Sequence, residues 1–426
     1  MRKPLPKGPE GPPGSLTAAL ASVPDPRKPY GWRPEYPPIP LVALLQLTVA
    51  AMLCGARSLA AVAQWGRERR EDQPELLGAL GLGPGRSPCV ATLHRVFKAL
   101  DVVAFERAVG AWLAQTGVTP NDPVAVDGKT LRGVHGEGLP GEHLVSAYAH
   151  QAGVVLAQMR SAGHGHELAA AKQVLAELPL AGRLVTADAL LTQREVSVEV
   201  VAGGGDYLLP VKENQPTLLA DLQAAFFPWE LGTEPVGDGV GAAPLWLTRD
   251  LAARDGRLDA VVVREPKARH GRREVRRLWV LADPAVNAYA GSSGEHGVAW
   301  PHLRQVCRVE RERVFVRRGR VVGVEVEVSY AITSAPPERA DAATLLRGLR
   351  GHWGIENRSH WVCDVTFDED RCQIRTGAAP EAFAACRNLA VALLRRRGEE
   401  NIAAALRAHA ARPHLAVALV LSGGMR

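Results

Sequence analysis

The order of β-rich and helical runs between residues 121 and 227 most constrains the fold of this chain. Three short runs rich in β-branched residues follow one another after Asn121, separated by turn-forming glycines. Two further strand-like runs then alternate with helical patterns, so the predicted order is βββαβαβα. Strands joined by short turns pair antiparallel, whereas strands joined through a helix lie parallel to a neighbour. The segment therefore predicts an α/β fold with a mixed sheet and helices on both faces.

The segments on either side of this core have different patterns, and together they predict five regions. Residues 1–40 are rich in proline and predict a mobile or loosely docked tail. Residues 41–118 predict an α-helical N-terminal domain that binds DNA. Residues 119–229 hold the first part of the core, residues 230–335 a β-rich insertion that contains a long hairpin, and residues 336–426 the helical C-terminal part of the core.

Capping residues mark two helix starts in the N-terminal domain. Ser58 predicts the cap of one helix, and Ser87 followed by Pro88 predicts the start of another. The second helix has a predicted apolar inner stripe formed by Val90, Leu93, Phe97 and Leu100. Its predicted outer side is partly basic and carries Ala91, Arg95 and Lys98. These helices permit a DNA-binding helix-turn-helix, and a plain helical bundle with a solvated face is an equally good alternative.

Composition excludes several classes of protein. The chain has 426 residues, of which 46% are apolar and 23% charged, as expected of a soluble globular protein. Its longest apolar stretch, 41–55, is too short to span a bilayer, and residues 1–14 lack the apolar region of a secretory signal. Six scattered cysteines without a CxxC pair favour the reducing cytoplasm. The net charge of +6 favours a polyanionic partner.

Two aspartates follow apolar strands of the predicted sheet. Asp127 ends the first strand and precedes Gly128, and Asp188 ends the first strand that follows a helix. If these strands are neighbours, the two carboxylates lie side by side, where they repel unless a cation sits between them. Oxygen ligands of this kind suit Mg²⁺, the usual ion when phosphate is the substrate. The alternative for each aspartate is that it caps the following turn or helix.

A third acidic candidate lies in the segment 350–364, which has a helical pattern. Glu356, His360 and Asp364 recur there every four residues on one side of a helix, with tryptophans beside them. This mixture predicts a half-buried polar face turned toward a site. The alternative is an amphipathic helix in which the tryptophans pack and the carboxylates are solvated.

Four blocks of the sequence resemble the conserved blocks of bacterial DDE insertion-sequence transposases. The blocks are AVDGKTLRG (125–133), TADALLTQ (186–193), GDYLLPVKENQPTL (205–218) and RGHWGIENRSHWVCDVTFDEDRCQIRTG (350–377). The resemblance spans about residues 41–397, with the blocks in order. It is greatest to the branch that contains the H-repeat-associated proteins of Rhs elements.

The resemblance implies a fold, an activity and a set of ligands. It implies an RNase H-like core interrupted by the β-rich insertion, with Asp127, Asp188 and Glu356 as catalytic residues and as ligands of two Mg²⁺ or Mn²⁺ ions. The implied reaction is cleavage of DNA strands at element ends, followed by transfer of the freed 3′-OH into target DNA. The implied partner is double-stranded DNA, bound by a homodimer or larger assembly. One departure is Cys363, which stands where related transposases have a lysine.

Several basic and polar residues near the predicted acidic centre are candidates for binding DNA. Lys129 and Lys212 suit backbone phosphates. Asn214 and Gln215 either contact DNA or cap the helix that starts at Pro216. The candidates around Glu356 are Arg350, His352 and Asn357.

Two other features have both a functional and a structural interpretation. The arginine-rich stretches 264–277 and 304–320 suit DNA phosphates, but their alternating glutamates favour a solvated face. His164, His166 and Glu167 are metal-ligand residue types without further ligands at suitable spacing, which favours a turn and a helix start.

Three functions are compatible with the sequence. The first is an active transposase, which the complete set of acidic residues favours. The second is a nuclease of the same fold that cleaves DNA without strand transfer. The third is a DNA-binding relic that has lost catalysis.

Overall fold

The chain divides into two compact units. The computed structural model describes residues 11, 14–28, 37–136, 139–163, 165–226, 258–264, 272–292, 297–318 and 320–424. The first unit combines residues 1–178 with residues 353–426, and the second comprises residues 179–352. The domain boundaries predicted from the sequence, at residues 119, 230 and 336, stay predictions.

The first unit contains a three-stranded antiparallel sheet. Its strands are β1 (Val124–Gly136), β2 (Leu139–Ala149) and β3 (Val154–Ser161). They lie in the order β3-β2-β1. The helix α7 (Glu167–Ala176) follows and packs against β2 and β3. Its start at Glu167, with His166 as the N-cap, confirms the helix start predicted there, and His164 lies outside the described residues.

The strand β1 is longer than the sequence predicts, which changes the setting of Asp127. The predicted strand ends at Asp127, but β1 continues to Gly136. Asp127 therefore lies inside the strand, opposite Ser146 of β2. The polar residues after Asp127 stay extended because their backbone pairs with β2 through Leu131.

Helices cover both faces of this sheet. After the strands and α7, the C-terminal part of the unit contains α12 (Ala379–Arg396), α13 (Ile402–Ala411) and α14 (Pro413–Ser422). Ala384 of α12 packs with Leu131 and Leu144. Glu167 of α7 lies against Gly128, which points to the opposite face of β1 because side chains alternate along a strand.

In the described residues before β1, the structure has six helices. They are α1 (Leu16–Ala21), α2 (Leu41–Leu53), α3 (Leu59–Asp72), α4 (Pro74–Ala79), α5 (Val90–Lys98) and α6 (Val102–Thr116). Ser58 caps α3 as predicted, since its Oγ accepts from the backbone N–H of Ala61 at 3.1 Å. The helix α5 begins at Val90, later than the Ser87–Pro88 signal predicts, and Val90 is 41% exposed on its first turn. The prediction of an inner Val90 is therefore wrong, whereas the other predicted inner and outer residues are confirmed.

Part of the predicted tail is a docked helix. Leu16, Thr17 and Leu20 of α1 are buried, and Gln46 of α2 donates a hydrogen bond to Thr17 Oγ1 at 2.7 Å. The prediction of a loose tail is wrong for residues 16–21, because their apolar side chains are enough to anchor one helical turn. Much of residues 1–40 lies outside the described part of the chain.

The second unit, in its described residues, contains a mixed sheet of six strands. Its strands are β4 (Leu184–Ala187), β5 (Asp206–Val211), β6 (Leu258–Arg264), β7 (Arg272–Leu281), β8 (Gln305–Arg317) and β9 (Arg320–Thr333). They lie in the order β4-β5-β9-β8-β7-β6, with β4 and β5 parallel and the other pairs antiparallel. The helices are α8 (Arg194–Ala202), α9 (Pro216–Phe226), α10 (Pro284–Tyr289) and α11 (Ala342–His352).

The β-rich character predicted for residues 230–335 is confirmed for the described strands. The strands β8 and β9 form the predicted long hairpin, paired from Gln305 with Thr333 to Arg317 with Arg320. The last residues of β9 also pair with β5, so the hairpin continues the sheet that carries Asp188. Leu345 and Leu346 of α11 pack in the core of this sheet.

The α/β class predicted from the sequence is confirmed. The elements follow the order βββαβαβα, with antiparallel strands first and a parallel pair joined through α8. The helical region before the first strand is also present. Among the residues that the structure describes, no helix is long and apolar enough to cross a membrane.

Candidate active site

The face of β1 that carries Asp127 packs against the segment 355–369. Alternate residues of a strand point to the same face, so Ala125 and Asp127 lie on one side of β1. Ala125 packs with Ile355, and Oδ2 of Asp127 lies 3.5 Å from Nδ1 of His360. The strand and the segment are therefore held side by side at Asp127.

The carboxylate of Asp127 is half-buried. Its side chain is 14% exposed, as is that of His360. Its Oδ1 accepts from the backbone N–H of Gly128 at 2.9 Å. These two contacts orient the carboxylate of Asp127.

Glu356 begins an unusual helical segment. Residues Glu356–His360 and Val362–Thr366 form two successive π-helical stretches. Such turns are rare and occur frequently at functional sites. His360 and Asp364 both face β1, which confirms part of the predicted shared face. Glu356 is exposed instead, since wider π-helical turns change the angular spacing on which that prediction rests.

The surroundings of Glu356 are open to solvent. Its side chain makes no hydrogen bond or ion pair with another residue in the described part of the chain. Trp353 and Trp361 are 57% and 56% exposed, so the packed tryptophans of the alternative are wrong, whereas its solvated Glu356 agrees with the structure. The Glu356 carboxylate is therefore accessible to a ligand from solution.

Lys129 belongs to a buried cluster of ion pairs. Its Nζ lies 2.6 Å from Oδ1 of Asp364 and also pairs with Glu369, which Arg387 contacts at 2.6 Å. Burial alone would raise the pKa of Glu369, but the charges of Arg387 and Lys129 hold it below its ordinary value. The ammonium of Lys129 is thus committed to two carboxylates. This arrangement favours a structural role for Lys129 over the predicted contact with DNA.

Cys363 lies close to this cluster. It is fully buried, and burial raises the pKa of its thiol to about 12, so it is uncharged at neutral pH. Cys363 therefore supplies no charge in place of the lysine of related transposases.

Asp188 directly follows β4, as the sequence predicts. Its Oδ1 accepts from the backbone N–H of Leu191 at 2.9 Å, so it also closes the turn that follows the strand. Thr192, in the same turn, donates from Oγ1 to the carbonyls of Pro210 at 2.6 Å and Asp188 at 3.2 Å. The turn is therefore tied to the end of β5.

Asn214 and Gln215 fix the same turn from the other side. Nδ2 of Asn214 donates to the carbonyl of Ala189 at 2.6 Å, and Nε2 of Gln215 donates to the carbonyl of Thr192 at 3.0 Å. Neither of these side-chain bonds caps the helix at Pro216. Both amides position the loop that carries Asp188.

The remaining residues predicted to contact DNA differ in exposure and in charge. Lys212 and Arg350 are exposed. Asn357 is exposed and donates to the carbonyl of Trp353 at 2.9 Å. Burial lowers the pKa of His352 to about 4, and Thr186 Oγ1 lies 3.2 Å from its Nδ1. The imidazole of His352 is therefore neutral at pH 7 and offers no charge to a phosphate.

The arginine-rich strands of the second unit are largely neutralised within the sheet. Glu274 pairs with arginines of β7 and β8, and Arg277 lies 2.8 Å from both Glu310 and Glu312. Arg313 pairs with glutamates of β9. This cross-strand pairing counts against a phosphate-binding role for the paired arginines. Arg277, Glu274 and Glu310 are themselves buried, so the predicted solvated face does not hold for these three residues.

The chemistry of the predicted ligands fits a hard divalent cation. Asp127 and Glu356 belong to the first unit and Asp188 to the second. All three offer carboxylate oxygens, and the exposed Glu356 oxygens have no partner among the described residues. As they stand, no three His, Cys, Asp or Glu side chains of the described residues are grouped so as to hold a metal ion. The assignment of metal ligands stays a prediction.

Sequence reasoning did not assign functional roles to two residues near this site. His360 was placed on the helical face of Glu356, but its contact with Asp127 depends on the packing of β1. Thr192 gives no local signal, since its hydroxyl reaches a carbonyl of another strand. Their spacing from Glu356 and Asp188, four residues in each case, is the only hint that the sequence contains.

Two family models match the chain. The Transposase DDE domain matches residues 119–393, and a second model, described as DDE_Tnp_1-associated, matches residues 17–113. The first match includes β1 to β9 and the Glu356 segment.

Similar proteins carry transposase names. "Putative transposase YncI" of Escherichia coli O157:H7 is 29% identical over 83% of this chain and 81% of its own length. "H repeat-associated putative transposase YhhI" of Escherichia coli K12 is 26% identical over 89% of this chain and 90% of its own length. A piggyBac transposase synaptic complex with hairpin DNA matches at 9% identity, covering 93% of this chain and 74% of that one. Its TM-score of 0.38 is too low to establish a shared fold.

Proposed function

Because this chain belongs to the Transposase DDE domain family, we propose that it cleaves DNA strands at insertion-sequence ends and transfers them into target DNA. Asp127, Asp188 and Glu356 are the proposed catalytic residues. Two Mg²⁺ or Mn²⁺ ions held by these carboxylates would activate the attacking oxygen and stabilise the leaving oxygen of an in-line displacement at phosphorus. The attacking oxygen belongs to water during cleavage and to the freed 3′-OH during joining.

The packing of β1 against the Glu356 segment best supports this proposal. Asp127 is held half-buried beside His360, whereas Glu356, four residues before His360, is open to solvent. A carboxylate held in place and another that is accessible suit a site that takes its ions and its substrate from solution. His360 acts here as a positioning residue, since it contacts Asp127 and not the reacting atoms.

The proposed partner is double-stranded DNA, bound by a homodimer or larger assembly. Exposed Lys212 and Arg350 are the proposed contacts to backbone phosphates, with Asn357 as a neutral donor. Asn214 and Gln215 position the Asp188 loop, and Lys129 belongs to the ion-pair cluster, so these three are not proposed as DNA contacts.

The decisive experiment compares the wild-type protein with Asp188→Asn on a duplex that ends in the inverted repeat of its own element. In the presence of Mg²⁺, the wild type is expected to nick the repeat end and to join the 3′-OH to a target duplex. The Asp188→Asn variant is expected to lose both activities by at least about 10³-fold, because the amide replaces an anionic metal ligand. Its affinity for the duplex should stay within about twofold, since phosphate contacts are made by cationic and neutral donors and not by a carboxylate.

Asp101→Asn is the matched control. Asp101 caps α6 through a hydrogen bond from the backbone N–H of Ala104, and asparagine caps as well as aspartate. It should retain full activity. Full cleavage by Asp188→Asn would refute the catalytic assignment, cleavage without joining would favour the nuclease, and binding without cleavage by the wild type would favour the relic.

A further inference from the structure

The helix α5 presents an exposed basic side. Leu93, Val96 and Phe97 face inward, where the Phe97 ring meets that of Phe383 on α12 edge-on at 6.0 Å. Arg95 and Lys98 lie on the outer side, beside the small and exposed Ala91. The inward-facing residues anchor this short helix. Its outer side carries small and cationic residues, so it can approach a polyanion closely.

The segment 371–376 continues this basic side. Its Thr376 Oγ1 lies 2.8 Å from Nε2 of His94, and the backbone N–H of Ala378 donates to the carbonyl of Lys98 at 3.0 Å. Arg371 is 85% exposed, and Arg375 is also exposed. We call Arg95, Lys98, Arg371 and Arg375 the α5 surface.

The other side of the same segment rests on β1. A Cβ atom at Gly133 would collide with the carbonyl of Cys372, and Nε of Arg375 donates to the carbonyl of Gly133 at 3.2 Å. Gly133 and Asp127 are six residues apart on β1, or about 20 Å at the usual rise of a strand. That is less than one turn of B-form DNA, about 34 Å. The part of the α5 surface that contacts β1, at Arg375, is thus within one duplex turn of Asp127.

Three of the four charges of this surface have no carboxylate partner among the described residues. Arg95, Lys98 and Arg375 form no ion pair with a carboxylate of the described residues, and Arg371 only approaches Asp368 at 3.7 Å. The arginines of β7 and β8 differ, since glutamates of the same sheet pair with them. Unpaired cations on an anchored surface are the groups that release counterions when a phosphate backbone binds.

We propose that the α5 surface binds the phosphate backbone of double-stranded DNA and directs the duplex toward Asp127 and Glu356. The identification of that DNA as an element end rests on the proposed function. The binding itself follows from the charges and the anchoring of the surface. The exposed side of α5 carries the small side chain of Ala91, which allows the helix to approach the major groove of DNA closely.

The test is a charge reversal, Arg95→Glu with Lys98→Glu, compared with Arg407→Glu and Arg412→Glu. The control pair is exposed, lies at α13 and α14, and changes the net charge equally. Fluorescence anisotropy of a labelled element-end duplex is recorded over a range of salt concentrations. The α5 variant should bind at least about tenfold more weakly than the control. Its slope of log affinity against log salt should fall by about two.

Two further measurements keep the result unambiguous. Thermal unfolding checks that the variant is folded, and the neutral pair Arg95→Gln with Lys98→Gln should show the same direction of change if the reversal does not fold. Equal affinity and equal slope for the α5 and control variants would overturn the inference, even if the wild type cleaves and joins DNA. If the wild type binds DNA but never cleaves it, and the α5 variant binds more weakly than the control, the inference would be supported and the proposed function refuted.

Discussion

The side-chain amides of Asn214 and Gln215 bind backbone carbonyls of the loop that follows Asp188. From the sequence, the same amides suit DNA or a helix cap equally well, because an amide donor does not specify its partner. The tertiary structure resolves this ambiguity by bringing the ends of β4 and β5 together. Both residues lie in a block that resembles those of transposases. Their contacts show that they hold the loop that follows Asp188.

Replacing Asn214 by alanine is expected to slow DNA cleavage about 10- to 100-fold, as is typical when a group that orients a ligand is lost. The affinity for an element-end duplex should be unchanged, because Nδ2 of Asn214 contacts Ala189 and not DNA. Single-turnover cleavage and anisotropy measure the two quantities. Asn287→Ala is the control, since this amide also donates to a backbone carbonyl, that of Arg304. A large loss of affinity with normal single-turnover cleavage would restore the DNA-contact hypothesis.

Lys129 shows how burial changes the role that is inferred for a side chain. In the sequence it is a cation next to the predicted acidic centre, which suggests phosphate binding. In the structure, Asp364 and Glu369 approach it from a segment more than two hundred residues away in sequence. A buried ammonium needs such partners, because an unpaired charge is costly to remove from water. Its two carboxylates are separated by five positions, a spacing that gives no local signal.

At the scale of elements, local sequence signals predicted the type and order of the helices and strands better than the residues at which they begin and end. The order of strands and helices from β1 to α9 is confirmed, because periodicity and turn residues are encoded within each element. The predicted end of β1 is wrong, because pairing with β2 extends the strand, and α5 starts two residues later than predicted. The π-helical form of the Glu356 segment has no local signature, so an α-helical spacing was the natural expectation.

The contact between α6 and α12 contains buried acidic groups whose protonation affects stability. Burial, with the charge of Glu381, raises the pKa of Glu106 to about 8, and burial, with the charge of Glu142, raises that of Glu381 to about 7. Both carboxyls are neutral in the folded protein at pH 6, whereas they are ionised in the unfolded chain. Arg160 approaches Glu142 at 3.1 Å and gives its backbone N–H to Glu381.

The free energy of unfolding should therefore fall as pH rises between about 4.5 and 8. The folded state binds more protons than the unfolded state in that range, so each carboxyl contributes a slope of at most about 1.4 kcal/mol per pH unit. Glu106→Gln should flatten this slope and raise the stability relative to wild type at pH 8. Urea unfolding at several pH values measures the effect. An unchanged slope in the variant, at unchanged folded structure, would contradict it.

At the scale of the whole molecule, the carboxylates come from two compact units. Asp127 and Glu356 lie in the unit formed by both ends of the described chain, and Asp188 lies in the unit formed by its middle. The resemblance of the four blocks names these residues together, although they are far apart in sequence. Their proposed common function is the binding of divalent cations.

Removal of divalent cations should separate catalysis from DNA binding. With EDTA, cleavage of an element-end duplex is expected to stop, while the anisotropy signal of bound DNA persists, because phosphate contacts are made by arginines and lysines. Added Mg²⁺ or Mn²⁺ should restore cleavage. Persistent cleavage in EDTA would refute the metal-dependent mechanism.

The sequence by itself determined the α/β class, the order of the elements and the membership of a transposase family. These properties are carried by short-range patterns and by contiguous blocks, which can be read without knowing distant contacts. Only the tertiary structure decided that Asp127 lies within a strand beside His360, that Lys129 is buried among carboxylates, and that Asn214 holds a loop. Each of these depends on which remote segment packs against the residue, and the amino-acid pattern around the residue does not contain that information.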